Sequence, residues 1–325
     1  MRKNVKGLTI CSLFFILAVV LVVPLHLMAA DKPKTDTSNC DWAVVTTDKH
    51  QACDPATIRS LANQGRVYEQ NQMGLASVLA IGSGYDSKQA VQWFEKAARQ
   101  GYAPAQVNLA IMHANGWGVE QNYGRALYWL RLAADQKDPR GTYNLGMLYF
   151  QGRGVNQDYK RAAELFRQAA DGGNSAAAVN LGYMYDRGYG VSEDHKAAAD
   201  WYRKAADTGN AMGESNLGDM YLRGDGVPQD DAIALRLFQK AAAQGHTGAR
   251  IKLGYMYAQG RATAVDLQAA YTWIMAASMA GDQRGRDLAA QLEQRLNATQ
   301  KAQANKQAHE LQTQFGNRTE MALLP

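Results

Sequence analysis

The sequence has few of the residues that most often carry chemistry. Only Cys11, Cys40 and Cys53 are cysteines among 325 residues, and none follows residue 53. A cysteine-ligated zinc site or a disulfide-laced core is therefore excluded for the body of the chain. No Ser-x-x-Lys, Gly-x-Ser-x-Gly or His-Glu-x-x-His occurs, so the common hydrolase and metalloprotease signatures are missing. His50, His113, His195, His246 and His309 are scattered, and no two stand at metal-ligand spacing. Neither a metal nor a cofactor is expected, and no catalytic residue is assigned. Long runs of Lys and Arg are also lacking. The formal charge is +5, but Arg2, Lys3 and Lys6 supply three of those charges, which leaves +2 from Asp31 onward. That balance gives no footing for nucleic acid as a partner.

The amino terminus has its own composition. Arg2, Lys3 and Lys6 precede an apolar run from Leu8 to Val23, and small residues Ala29 and Ala30 precede Asp31. A basic start, an apolar stretch and small residues before a polar one read as a signal peptide over residues 1–30. An uncleaved anchor is the rival, and it would be the chain's one contact with a membrane. Either way the protein is expected to be exported, periplasmic or secreted. Residues 31–56 form a polar leader without helical periodicity. In an oxidising compartment its Cys40 and Cys53 are expected to pair, with a stabilisation of roughly 3 kcal/mol from the loop closed.

What the chain has in quantity is repetition. Asn144-Leu145-Gly146-Met147-Leu148-Tyr149 returns as Asn180-Leu181-Gly182-Tyr183-Met184-Tyr185 and as Asn216-Leu217-Gly218-Asp219-Met220-Tyr221. Weaker copies start at Asn108 and Lys252, so each start follows the last by 36 residues. A fixed period of this size is the mark of a repeat array. In register, the copies give a helix, a turn and a second helix. Small residues (Ala105, Gly141, Ala177, Gly213, Ala249), then Leu109 and its equivalents, then His113, Tyr149, Tyr185, Tyr221 and Tyr257 follow at steps of four and share one helical face. A glycine pair such as Gly152 and Gly154 makes the turn, and Asp86, Asn122, Asp158, Asp194, Asp230 and Asp266 suit the start of the second helix. In that helix Ala126, Trp129 and Ala133 and their equivalents make a buried stripe. The glycine pair lacks the Gly-Lys-Ser/Thr ending and the βαβ setting of a phosphate loop.

The pattern Ala-x-x-x-Leu-Gly-x-x-Tyr-x-x-Gly-x-Gly-Val…Asp…Ala-x-x-Trp-x-x-x-Ala-Ala…Gly resembles the Sel1-like repeat, a relative of the tetratricopeptide repeat, over Gly65 to Gly281. The resemblance implies an all-α fold, a right-handed α-solenoid of about six helix-turn-helix repeats over residues 57–282. It also implies a non-catalytic adaptor or scaffold for protein complexes. Some relatives with extra cysteines in their repeats are linked to β-lactams, and this chain has no cysteine there. A β-lactam or cell-wall hydrolase, or a peptidoglycan-associated envelope factor, is the alternative reading.

After Gly281 the period stops. Leu288, Leu292 and Leu296, then a capping box at Asn297 to Gln300 and an apolar stripe at Ala304, Ala308, Leu311 and Phe315, predict two helices. Residues 283–325 should thus cap the open end of the last repeat and end in a short tail. Because first helices of tetratricopeptide-like arrays line the concave side, the resemblance also places a binding strip opposite the Leu–Tyr face. Its members are Val107, Ile111, Tyr143, Met147, Phe150, Val179, Tyr183, Leu222, Ile251 and Tyr255. These vary between copies while the packing positions hardly change, and they are apolar for an exposed surface. Another protein or an extended peptide is the expected occupant, with burial by adjacent repeats as the competing account.

Overall fold

The computed structural model describes residues 55–79 and 86–323, with side chains up to residue 314. The expected signal, the leader cysteines Cys40 and Cys53 and the first copy's turn all lie outside the described residues. Among the described residues every regular element is a helix. A short α1 (Pro55–Asn63) comes first. First helices of the repeats are α2 (Val67–Val78), α4 (Ala103–Asn115), α6 (Pro139–Gln151), α8 (Ser175–Arg187), α10 (Ala211–Arg223) and α12 (Thr247–Gln259). Second helices are α3 (Ser87–Arg99), α5 (Tyr123–Asp135), α7 (Tyr159–Asp171), α9 (His195–Asp207), α11 (Asp231–Ala243) and α13 (Leu267–Met279). Two more, α14 (Gln283–Glu293) and α15 (Ala298–Leu323), close the stack.

The helix ends follow from the sequence. Each second helix opens on an Asp or Asn side chain that accepts a backbone N–H: Asp158 takes the Arg161 N–H at 2.9 Å, and Asp194, Asp230 and Asp266 repeat the contact. From α4 onward, first helices end on a left-handed glycine such as Gly152, φ 66°. Where the second helix α5 lacks its closing glycine, Lys137 takes the left-handed conformation itself, φ 61°.

Packing inside a repeat is small against large. A Cβ on Gly146 would meet Phe166 at 2.8 Å, and one on Gly182 would meet Tyr202 at 2.8 Å. Packing between repeats uses the small position that opens the Leu–Tyr face. A Cβ on Gly141 would stand 2.6 Å from Ala133, and one on Gly213 would stand 2.6 Å from Ala205. The tyrosines of that face do more than fill space. Tyr149 accepts a hydrogen bond from Arg131, Tyr185 from Arg167 and Tyr221 from Arg203, each arginine lying on the preceding second helix.

Consecutive helices pack together from α1 to α14, and first helices also touch across repeats, α4 on α6 and α8 on α10. Second helices do not approach one another as closely. At the end of the array α14 and α15 both pack on α13, where Leu288, Leu292, Leu296, Ala289 and Ala304 cover Tyr271 and Ile274. The capping box forms as the sequence predicts: Gln300 N–H donates to Asn297 Oδ1 at 2.9 Å, and Asn297 N–H donates to Gln300 Oε1 at 3.1 Å.

The inner groove as candidate functional site

The structure divides the expected binding strip. Val107, Ile111, Met147, Val179 and Ile251 are buried, with no more than 6% of their surface exposed. Tyr143, Phe150, Tyr183, Leu222 and Tyr255 are half-buried. Between two pairs of copies a side chain of the following first helix reaches back toward the strip. Asn180 Nδ2 lies 3.3 Å from the Tyr143 hydroxyl and 3.3 Å from Met147 Sδ, and Lys252 Nζ donates to Ser215 Oγ at 3.3 Å and to the Asp219 carboxylate. Many strip positions therefore serve as the seam between repeats as well as the floor of the groove.

Burial sets the ionisation of the tyrosines here. Desolvation raises the pKa of Tyr143, opposed by its hydrogen bond with Asn180; it also raises that of Tyr255. Tyr183 is raised first by burial, then by neighbouring Tyr189. All three remain neutral phenols near pH 7, able to donate or accept a hydrogen bond.

An aromatic cluster that the sequence reading missed stands at one rim. Tyr189 stacks on Tyr159 with ring centroids 5.1 Å apart and 19° between planes. Phe150 meets Tyr159 edge-on at 5.2 Å, and Tyr183 lies 5.7 Å from Tyr189. Tyr189 belongs to the turn after α8, Gly188-Tyr189-Gly190-Val191, a position that reads as loop in a single copy. The signal was present in the register, since this copy alone follows an aromatic-rich first helix with an aromatic turn residue. Beside the cluster Asp186 holds His195 Nδ1 at 3.0 Å and lies 3.4 Å from Arg187. His113, the other histidine near the first-helix face, is buried as the sequence suggested, and burial lowers its pKa.

Among the described residues no group of three or more His, Cys, Asp or Glu could hold a metal ion. Likewise, among the described residues no helix is long and apolar enough to cross a membrane.

An all-α stack of helical hairpins repeating every 36 residues defines the class: an α-helical repeat solenoid. The Sel1 repeat model matches residues 70–102, 103–138, 139–174, 175–210, 211–246 and 248–282, and the chain belongs to that family. Among solved structures it is similar to a Sel1 repeat protein from Oxalobacter formigenes, with 31% identity, a TM-score of 0.61 and coverage of 66% of this chain and 86% of that one. It is also similar to c5321, a protective antigen present in uropathogenic Escherichia coli strains with an SLR fold. There the identity is 30% and the TM-score 0.55, covering 79% of this chain and 62% of that protein. No curated protein matches.

Proposed function

We propose that this chain is an exported, non-catalytic scaffold that holds a segment of another protein in its inner groove. Sel1 repeats generally serve as protein-interaction scaffolds, and a solenoid of this kind offers area and shape rather than reactive groups. The observation that carries the reading is the rim cluster of Phe150, Tyr159, Tyr183 and Tyr189. Four aromatic rings are in mutual contact beside the groove, with Tyr189 at 36% exposure. Aromatic side chains with one face open bring large contact area at low entropic cost, which suits a protein interface. Export rests on the basic and apolar amino-terminal segment.

The test compares the full chain with a Tyr183→Ala/Tyr189→Ala double variant in cross-linking from an envelope fraction. A defined partner should be captured by the parent and by a Tyr128→Ala control, and lost from the double variant at unchanged melting temperature. Tyr128 is 58% exposed on a second helix, away from the groove, which makes it a fair control. Equal capture by the double variant would remove the groove from the reading.

A further inference from the structure

The second helices record in their sequence whether something covers them. Two positions, four residues apart, are polar and exposed in four copies: Gln92 and Lys96, Glu164 and Gln168, Asp200 and Lys204, Arg236 and Lys240. In the last copy the pair is Thr272 and Ala276, exposed by only 5% and 0%. There α15 lies on α13: Thr272 Oγ1 donates to Gln307 Oε1 at 3.4 Å, and Arg250 bridges the Ala276 carbonyl and Gln312. The covered face carries no charge at these positions, while the bare faces do. Helix α5 breaks the rule. Its pair is Tyr128 and Leu132, apolar as on a covered face, yet Tyr128 is 58% exposed and Leu132 only half-buried.

A single exposed apolar residue is ordinary, but two further features gather on this face. Arg125 stands three residues before Tyr128 and Asp135 three after Leu132, and steps of three, four and three keep all four in one helical stripe. Neither charge has an ion-pair partner among the described residues. At the same positions of α7, Arg161 pairs with Glu164 at 2.8 Å and Asp171 with Lys204 at 2.7 Å. Arg125 and Asp135 also oppose the helix dipole, with the cation in the first turn and the anion in the last. The second feature is a cleft of about 500 Å³ between α5 and α3, whose lining includes Ala98, Arg99, Trp129, Leu132 and Asp135. Tyr128 stands at its edge, with its ring set edge-on against Trp129 at 4.9 Å.

This face is complementary to itself. A two-fold axis crossing α5 at the level of Leu130 lays the helix antiparallel on its counterpart in a second molecule. Each residue then meets the one equally far beyond the axis. Tyr128 meets Leu132 and enters the cleft beside it, and Arg125 meets Asp135. The same axis sets α7 on α7 and α3 on α3, where Glu164 faces Gln168 and Gln92 faces Lys96, so no like charges meet. We infer that this chain pairs with a second copy of itself through α5, Tyr128 of each molecule seated in the cleft of the other. The aromatic residue supplies contact area, and the two Arg125–Asp135 pairs fix direction and register. The surface belongs to second helices and does not depend on the groove reading.

The experiment is sedimentation velocity of the full chain over a range of concentrations. A single helix crossing is smaller than a standard interface, so monomer should give way to dimer within about 1–100 µM. Tyr128→Lys should stay monomeric throughout, at an unchanged melting temperature. Arg125→Asp and Asp135→Arg should each weaken the dimer about tenfold, and the double exchange should restore it. Both single changes agree with the helix dipole, so a loss of pairing cannot be blamed on a weakened α5. The Tyr183→Ala/Tyr189→Ala variant should dimerise as the parent does, which keeps this test apart from that of the groove. A parent that remains monomeric, whether or not Tyr128 then holds some other molecule, would overturn the proposal. So would a dimer that survives Tyr128→Lys, or a double exchange that pairs no better than either single one.

Discussion

At the scale of single residues, the repeat exposes its own exceptions. Four positions after the capping residue of their first helices, Gln70 donates to the Ala62 carbonyl at 3.1 Å and Gln106 to the Ala98 carbonyl at 3.3 Å. Arg250 does the same for Ala242 at 3.2 Å. Each satisfies a carbonyl at the end of the preceding helix, where free acceptors accumulate. Glu214 occupies this position in the fifth copy, 4% exposed. An ionised carboxylate cannot donate there and faces the negative end of a helix. Burial raises its pKa above the usual 4.5, with Lys240 and the hydrogen bond from Gln244 opposing the shift. A carboxyl whose folded pKa lies above its unfolded one binds more protons folded than unfolded, so its stability contribution falls as pH rises past about 4.5. Glu214→Gln should therefore stabilise the protein by about 1 kcal/mol at pH 7. The gain should shrink toward zero below about pH 4, where the carboxyl is protonated in both states. Urea denaturation of both proteins at the two pH values checks the sign, and a gain that grew on acidification would refute this account.

At the scale of the element, the turns decide how one repeat sits on the next. The second glycine of the turn after α8, Gly190, has φ 68°, and a Cβ there would come within 2.3 Å of the Tyr159 backbone at the start of α7. Gly209, after α9, has φ 79° but nothing within 4 Å. The two separate conformational strain from close approach. Gly209→Ala should cost about 1 kcal/mol, from strain alone. Gly190→Ala should cost about 3 kcal/mol or more, because backbone cannot yield as a side chain can. Equal melting temperatures for the two variants would mean that the turn does not bear on the preceding helix. Helices, caps and turns were legible because every copy repeats the same local chemistry, as Asp158 and Gly152 illustrate. The division of the strip was not, since Val107, Met147 and Val179 are covered by a following helix whose angle no single copy encodes.

At the scale of the whole molecule, the array is open at its carboxyl-terminal end except for α14 and α15. Tyr271 and Ile274 of α13 are each 1% exposed, under cover from Leu288, Leu292 and Leu296. Removing residues 283–325 would bare both, a loss of about 4 kcal/mol by the usual value for two large apolar side chains. The truncated chain should melt lower and self-associate, as seen in light scattering beside a thermal scan. A monomer of undiminished stability would show that these helices are an appendage.

Each repeat packs mainly on the one before and the one after, and its seams are completed by an adjacent copy. A block of 36 residues cut between equivalent points and closed again leaves each remaining copy with a proper neighbour. Duplication of such a block does the same. The length of the array is thus counted in whole copies, and a single genetic event can extend or shorten it while leaving the rules of folding untouched.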